Sequence, residues 1–336
     1  MNKKSRVLIF SFFLVSVLPI IGENFFDEFG FYDVSSACLT SKLGPMSESA
    51  TPTTISNASQ IAGIITISVP GYYKVIEALI YPIVITANGV VLNLNCYTVT
   101  TSTPNTNIIT VAPLKNKIYL YNGNLHNTGG PGGTGSGLYI DYGASQISCK
   151  NIKVFQCGYG VRLAGLQGGE IMSCQLTGLD LVANAIGLQL QYADETIVKD
   201  CRAVRNTRFG YELQNSHANC FYNCCALKTT GTDTVAGFTS FNGQDNLFKN
   251  CVVKQAATSS TTFGDKAVGF LLTGTELKTK LVDCIVNETD VLSTPTAVTY
   301  GVHLEPTFNG GISQVAGSPF AVSYTNVYGV RWSPDG

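Results

Sequence analysis

The sequence predicts an all-β solenoid, in which short strands wind into coils stacked along one axis. Three observations predict it. A short phrase, glycine then an apolar residue, any residue, and an apolar or small one, recurs from Gly137 to Gly301. The segments around it alternate apolar and polar with the period of two of a strand. A cysteine or asparagine returns at a nearly constant distance after each of the first six of these glycines. Composition agrees: of 336 residues 45% are hydrophobic, only 13% are charged and 34 are glycine, a turn-rich balance far from that of a helical chain. The formal net charge of −1 leaves no basic stripe to pair with phosphates, so no nucleic-acid partner is expected.

Residues 1–22 open with Lys3, Lys4 and Arg6, continue with an apolar run from Val7 to Leu18, and end at the small Gly22. This is the pattern of a secretory signal peptide. The run is shorter than the roughly 20 residues that span a bilayer, and no later segment is long and apolar enough to cross. The expected location is therefore secreted or cell envelope, outside the cytoplasm. Residues 23–60 carry no repeat and contain Phe25, Phe26, Phe29, Phe31 and Tyr32, as expected of an N-terminal leader or cap.

Residues 61–336 form the predicted solenoid. Its glycines, Gly137, Gly160, Gly187, Gly210, Gly237, Gly269 and Gly301, are spaced by 23, 27, 23, 27, 32 and 32 residues. Fourteen residues after the first five come Asn151, Cys174, Cys201, Cys224 and Cys251, and fifteen after the sixth comes Cys284. Looser copies precede them, with Ile83 to Ile85 leading to Cys96 and Ile109 to Val111 leading to Asn122. Neither strand of such a repeat can bury its apolar side alone, so successive repeats must stack. Cys96, Cys174, Cys201, Cys224, Cys251 and Cys284 are then expected to form an inward structural ladder of free, buried thiols. Parallel Cβ vectors in such a stack disfavour relaxed bridges. Cys38, outside the repeat, is the natural candidate for an external partner. Tyr328 to Pro334 repeats Tyr300 to Pro306, so a further coil is expected to begin there and to continue, or to be followed by another domain, past Gly336.

A repeat of about 23 residues with like residues stacked inside resembles the right-handed parallel β-helix of the pectin-lyase-like superfamily. The segments Ser68 to Val75 and Ala87 to Asn95 look like the amino-terminal coil of exported β-helix repeat proteins, with Cys96 where glycine is more usual. The resemblance covers residues 60 to 332. It implies an all-β, single-stranded right-handed parallel β-helix of about nine coils, roughly 40 to 45 Å long at the strand spacing. That scaffold carries lyases, hydrolases, adhesins and structural proteins alike, so function has to be argued from the site.

Two outward rows carry candidate chemistry. One residue in each glycine-led strand faces out, giving Tyr139, Arg162, Gln189, Glu212, Thr239, Leu271 and His303 in succession. Tyr139, Arg162, Gln189 and Glu212 are the ligand-binding candidates, since they supply hydrogen bonds and a stacking face for a saccharide. In lyases of the superfamily, the resemblance implies, a groove beside such a sheet holds the polymer and an Arg or Lys draws the proton alpha to a uronate carboxylate. A second row, seven residues after each glycine, brings Asp194 and His217 onto neighbouring coils, followed by Gln244 and Glu276, with Glu195 alongside. An acid beside an imidazole suits general acid–base work, which makes Asp194, His217, Arg162 and Glu212 the catalytic candidates. No cluster of carboxylates on adjacent rungs suggests a calcium site, and no paired aspartates suggest an inverting hydrolase. No metal and no cofactor are expected, with calcium entering only under the lyase alternative. Two readings follow. One is a non-catalytic surface or envelope protein that binds a polysaccharide or surface partner along its exposed strand face. The other is a polysaccharide lyase or glycoside hydrolase.

Overall fold

Alternation along the chain builds two parallel sheets that share one interior. The computed structural model describes residues 51–259, 265–274, 279–291 and 298–306, together with short strands between 313 and 333. Among them, regular structure is strand apart from one 3-10 turn at Asn57–Ser59. A ten-stranded sheet runs in simple sequence order from Ile65–Ile67, Ile83–Ile85 and Ile109–Val111, through Ser136–Asp141, Tyr159–Ala164, Ile186–Gln191 and Phe209–Gln214, to Val235–Phe241, Lys266–Gly274 and Val298–Pro306. Each strand pairs in parallel with the next. The rest of each coil supplies a second, larger parallel sheet. No helix among the described residues is long and apolar enough to cross a membrane.

The recurrent glycines stand in register, and the reason is space. A Cβ on Gly187 would lie 2.4 Å from the carbonyl oxygen of Gly210 and 3.1 Å from the Cβ of Ala203. Neighbouring coils approach so closely at this point that only hydrogen fits. Corners are made differently, by single residues in the left-handed region. One coil turns at Tyr192 (φ 45°), Glu195 (55°), Asp200 (53°) and Arg205 (55°), and the next at Asn215, Ala218, Asn223 and Lys228. Such residues are uncommon outside Gly, Asn and Asp, and here they recur at matching positions because every coil bends at the same places.

The interior is layered. Tyr211, Phe238 and Phe270 stack face to face on successive coils, at 4.5 and 4.9 Å between ring centroids. Phe221 and Phe248 stack beside them at 5.0 Å and meet them edge-on. Buried asparagines at two corners satisfy backbone groups that the sheets leave over. Asn184 accepts from the Cys157 amide at 2.9 Å, and Asn206 from the Asn184 amide at 3.0 Å. Asn219 accepts from the Thr196 amide, and Asn246 from the Asn219 amide.

The cysteine ladder is shorter than the spacing suggests. Strand pairing aligns Arg202 with Cys225, Cys225 with Val252 and Val252 with Ile285, which puts the preceding residues Cys201, Cys224, Cys251 and Cys284 in one inward column. Cys174 is not in it. Asp180 pairs with Arg202, so Leu179 stands under Cys201, while Gln175 pairs with Ile197 and sets Cys174 beneath Thr196. A short excursion after Ala164, closed by antiparallel contacts between Leu166 and Gly169, adds residues to this one coil and makes its offset of fourteen coincidental. Cys96 also stands apart, being half-buried, left-handed at φ 66° and disulfide-bonded. Cys38 lies outside the described residues. The thiols of Cys174, Cys201, Cys224, Cys251 and Cys284 are free and buried. Burial pushes Cys174 up to about 12 and Cys201 and Cys224 well above the ordinary thiol range, which keeps them unreactive.

Two ends differ from expectation. Thr53–Ile55 already pairs in parallel with Gly71–Val75, so the stack includes residues read as leader. Asn326–Tyr328 and Arg331–Ser333 pair with Lys280–Val282 and Ile285–Val291 in the larger sheet. They complete the coil that Val298–Pro306 opens instead of starting a new one. Alternation is common to both sheets, so the phrase starting at Tyr328 matches the one at Tyr300 without sharing its place. Residues 1–22 lie outside the described residues.

Candidate functional site

The outer face of the ten-stranded sheet carries three columns. The middle one is the predicted row: Tyr139 pairs with Arg162, Arg162 with Gln189, Gln189 with Glu212 and Glu212 with Thr239, and Leu271 and His303 continue it. On one side, Tyr159, Ile186, Phe209, Ala236 and Val268 form an apolar strip separate from the interior. On the other stand Asp141, Gln191, Gln214 and Phe241.

The row is less exposed than its sequence suggests. Rungs only about 4.8 Å apart let long side chains lie over one another, and Gln189 and Glu212 keep 4% and 6% of their surface. Both Glu212 oxygens are taken, accepting at 2.7 Å from the amides of Gln189 and Gln214. Glu212 therefore orients two amides, one through each oxygen. Gln189 Oε1 is buried and has no partner. Arg162 is half-buried, its guanidinium 4.7 Å from the centroid of the Tyr159 ring. It donates through Nη2 to Gln191 Oε1 at 3.1 Å, while Nε is buried with no partner. Tyr139 donates weakly to Asp141 at 3.5 Å, and burial raises its phenol above the ordinary range. The result is an aromatic and amide surface with two unused polar positions one rung apart. Further along, Lys266 Nζ lies 3.1 Å from His303 Nε2, and burial pushes His303 down to about 4.

The second row sits at the corner where these strands end. Asp194 accepts from the backbone amide of His217 at 2.8 Å, and burial holds its carboxyl above the ordinary range. His217 pairs with Gln244 across the next rung, and its Nδ1 is buried without a partner. Glu195 instead accepts from the Ser173 hydroxyl at 3.0 Å. Glu276 lies outside the described residues. Beside this row opens a cavity of about 520 Å³, with Gln167 and Glu170 on the excursion side, Tyr192, Asn215 and Asn242 from the corners, and His217 and Gln244 at the far wall. The Gly168 amide donates to Glu170 at 2.8 Å and holds its carboxyl below the usual range. Arg162 and Glu212 belong to the sheet face and Asp194 and His217 to the corner, so the four catalytic candidates form two groups. Among the described residues no cluster of three or more His, Cys, Asp or Glu could hold a metal ion.

Sequence reasoning missed Gln191 and Gln214, although both stand two residues beyond the predicted row and face the same way. It also missed the cavity's Gln167 and Glu170, for which the irregular interval between Gly160 and Gly187 was the only sign.

A family model described as the right-handed beta helix region matches residues 136–325. The chain belongs to that family. It is a right-handed parallel β-helix of the pectin-lyase-like superfamily. The β-helix is similar to a tailspike of an Acinetobacter phage, with a TM-score of 0.50 and 13% identity over 80% of this chain. The chain spans 56% of that tailspike's length. It is also similar to a mannuronan C-5 epimerase module of Azotobacter vinelandii, with a TM-score of 0.44, 11% identity, and coverage of 80% of this chain and 92% of that one. A third is a surface adhesin of Streptococcus pneumoniae, with a TM-score of 0.39, 7% identity, and coverage of 76% and 92%. Identities this low show a shared coil alone. No curated protein matches the chain.

Proposed function

We propose that the protein is an exported glycan-binding β-helix that holds an extended polysaccharide along the outer face of its ten-stranded sheet, without cleaving it. One observation carries this reading: the in-register column Tyr139, Arg162, Gln189 and Glu212, with Arg162 Nε and Gln189 Oε1 buried and unused. Buried polar atoms without partners are costly, and a small outward turn of either side chain would bring it to a sugar hydroxyl. The Tyr159 ring supports stacking on a sugar face. Glu212 acts as a positioning residue by fixing the amides of Gln189 and Gln214. Export is supported by the leader read at residues 1–22.

The test is retention on immobilised polysaccharides together with an assay for released oligosaccharides, with and without calcium, on the chain lacking residues 1–22. Hydrogen bonds to charged groups contribute about 1.5–3 kcal/mol, so Arg162→Ala should weaken binding roughly 10- to 100-fold. Retention undiminished in Arg162→Ala refutes the face as the site. Release of product refutes the non-catalytic part and makes Asp194, His217, Arg162 and Glu212 the first residues to replace.

A further inference from the structure

We infer that the corner cavity is a second subsite, built for a single neutral sugar ring that branches from the glycan or ends it. The inference rests on the reading of the sheet face as a glycan site and adds to it the kind of ligand. Tyr192, Asn215 and Asn242 directly follow Gln191, Gln214 and Phe241 in sequence, so the cavity opens where the outermost column of that face ends. Its volume of about 520 Å³ falls within the range of about 300–1,000 Å³ usual for small-molecule sites.

The lining says what would fit. Amides from Gln167, Asn215, Asn242 and Gln244, the Tyr192 phenol and one imidazole line it, and no lysine or arginine is among them. Glu170 lines the cavity as a carboxylate, and it and Glu195 stand close enough to Asp194 to help raise that residue's carboxyl. A uronate, sulfate or phosphate would meet like charge, with only the His217 imidazole, which already faces Glu170 and Asp194, to set against it. A neutral polyol meets only donors and acceptors. The His217 imidazole, which lines the cavity, can donate or accept according to its tautomer. One wall of this space is the excursion that carries Gln167 and Glu170, which the next coil replaces with a direct turn from Gln191 to Ala193.

Saturation-transfer NMR on the chain lacking residues 1–22 tests this, with methyl glucoside, methyl galactoside and methyl mannoside at millimolar concentration and methyl glucuronide as the charged comparison. At least one neutral glycoside should show transfer that falls at least fivefold in a Gln167→Ala/Gln244→Ala variant, both side chains being exposed and dispensable to the core. Arg162→Ala should leave that transfer unchanged. No transfer from any neutral glycoside, transfer that survives the double variant, or preference for the glucuronide overturns the subsite. Polysaccharide retention measured on the same samples separates the two proposals. It fails in the unmodified chain if the face reading is wrong, and persists there if only the subsite is wrong.

Discussion

Replacing Phe238 with alanine probes the link between the interior and the binding face. Phe238 is fully buried, with Tyr211 stacked on one side and Phe270 on the other, and Phe221 and Phe248 at its edges. Truncating a buried Phe to Ala costs about 3–5 kcal/mol, and aromatic pairs add about 0.5–1.5 kcal/mol each beyond area burial. The hole cannot collapse, because the coils above and below are held at a fixed pitch by strand pairing. The loss should therefore reach the top of that range, about 5 kcal/mol. Phe238→Leu keeps most of the volume and should cost far less, about 1–2 kcal/mol. Urea unfolding followed by circular dichroism gives the magnitudes. Amide exchange gives their location, since neighbour-only contacts in a solenoid confine damage to adjacent coils. Protection should fall in the strands Phe209–Gln214, Val235–Phe241 and Lys266–Gly274 and persist near Ile83–Ile85. A loss below about 2 kcal/mol, or exchange that rises evenly along the chain, would refute the stacked interior.

Three further outcomes are expected. In denaturant without reductant the nine free cysteines of the described residues should react, and Cys96 should not. With reductant all eleven cysteines should, and eleven before reduction would disprove the Cys96 disulfide. Gly187→Ala, whose Cβ meets a neighbouring carbonyl oxygen at 2.4 Å, should destabilise by about 1–3 kcal/mol, whereas Gly132→Ala, which meets nothing within 4 Å, should stay within about 0.5 kcal/mol; equal melting temperatures would refute the close approach. His303 is pushed down to about 4 by burial, with Lys266 beside it. An unfolded histidine takes its proton near 6.5, so stability should be complete above about 6.5 and decline as pH falls towards 4. His303→Asn should flatten that slope, and an unchanged slope would remove His303 as its source.

The coil was legible because its causes are local and repeated. A glycine is needed wherever backbones nearly touch, and a small inward residue such as Cys224 or Cys251 wherever the cross-section is narrow, so both recur in the sequence. The outward row from Tyr139 to Glu212 followed from alternation once the glycines were aligned. The misplacement of Cys174 has the same origin, for counting from a glycine assumes that every coil turns alike, and one does not. Burial of Gln189 and Glu212 was hidden because it depends on side chains from rungs above and below. The corner cavity was hidden because its residues come from one irregular excursion and from left-handed positions filled by Tyr192, Asn215 and Asn242, which no simple pattern joins.

The excursion after Ala164 carries a lesson about how this architecture can change. Extra residues enter at a corner and leave before Cys174, and by Leu179 the interior columns have recovered their alignment with every later coil. An insertion there is absorbed where it occurs and displaces nothing downstream. Corners are thus the places where length can vary freely while the framework stays the same, and a chain built this way can acquire or exchange a recognition loop without renegotiating its core.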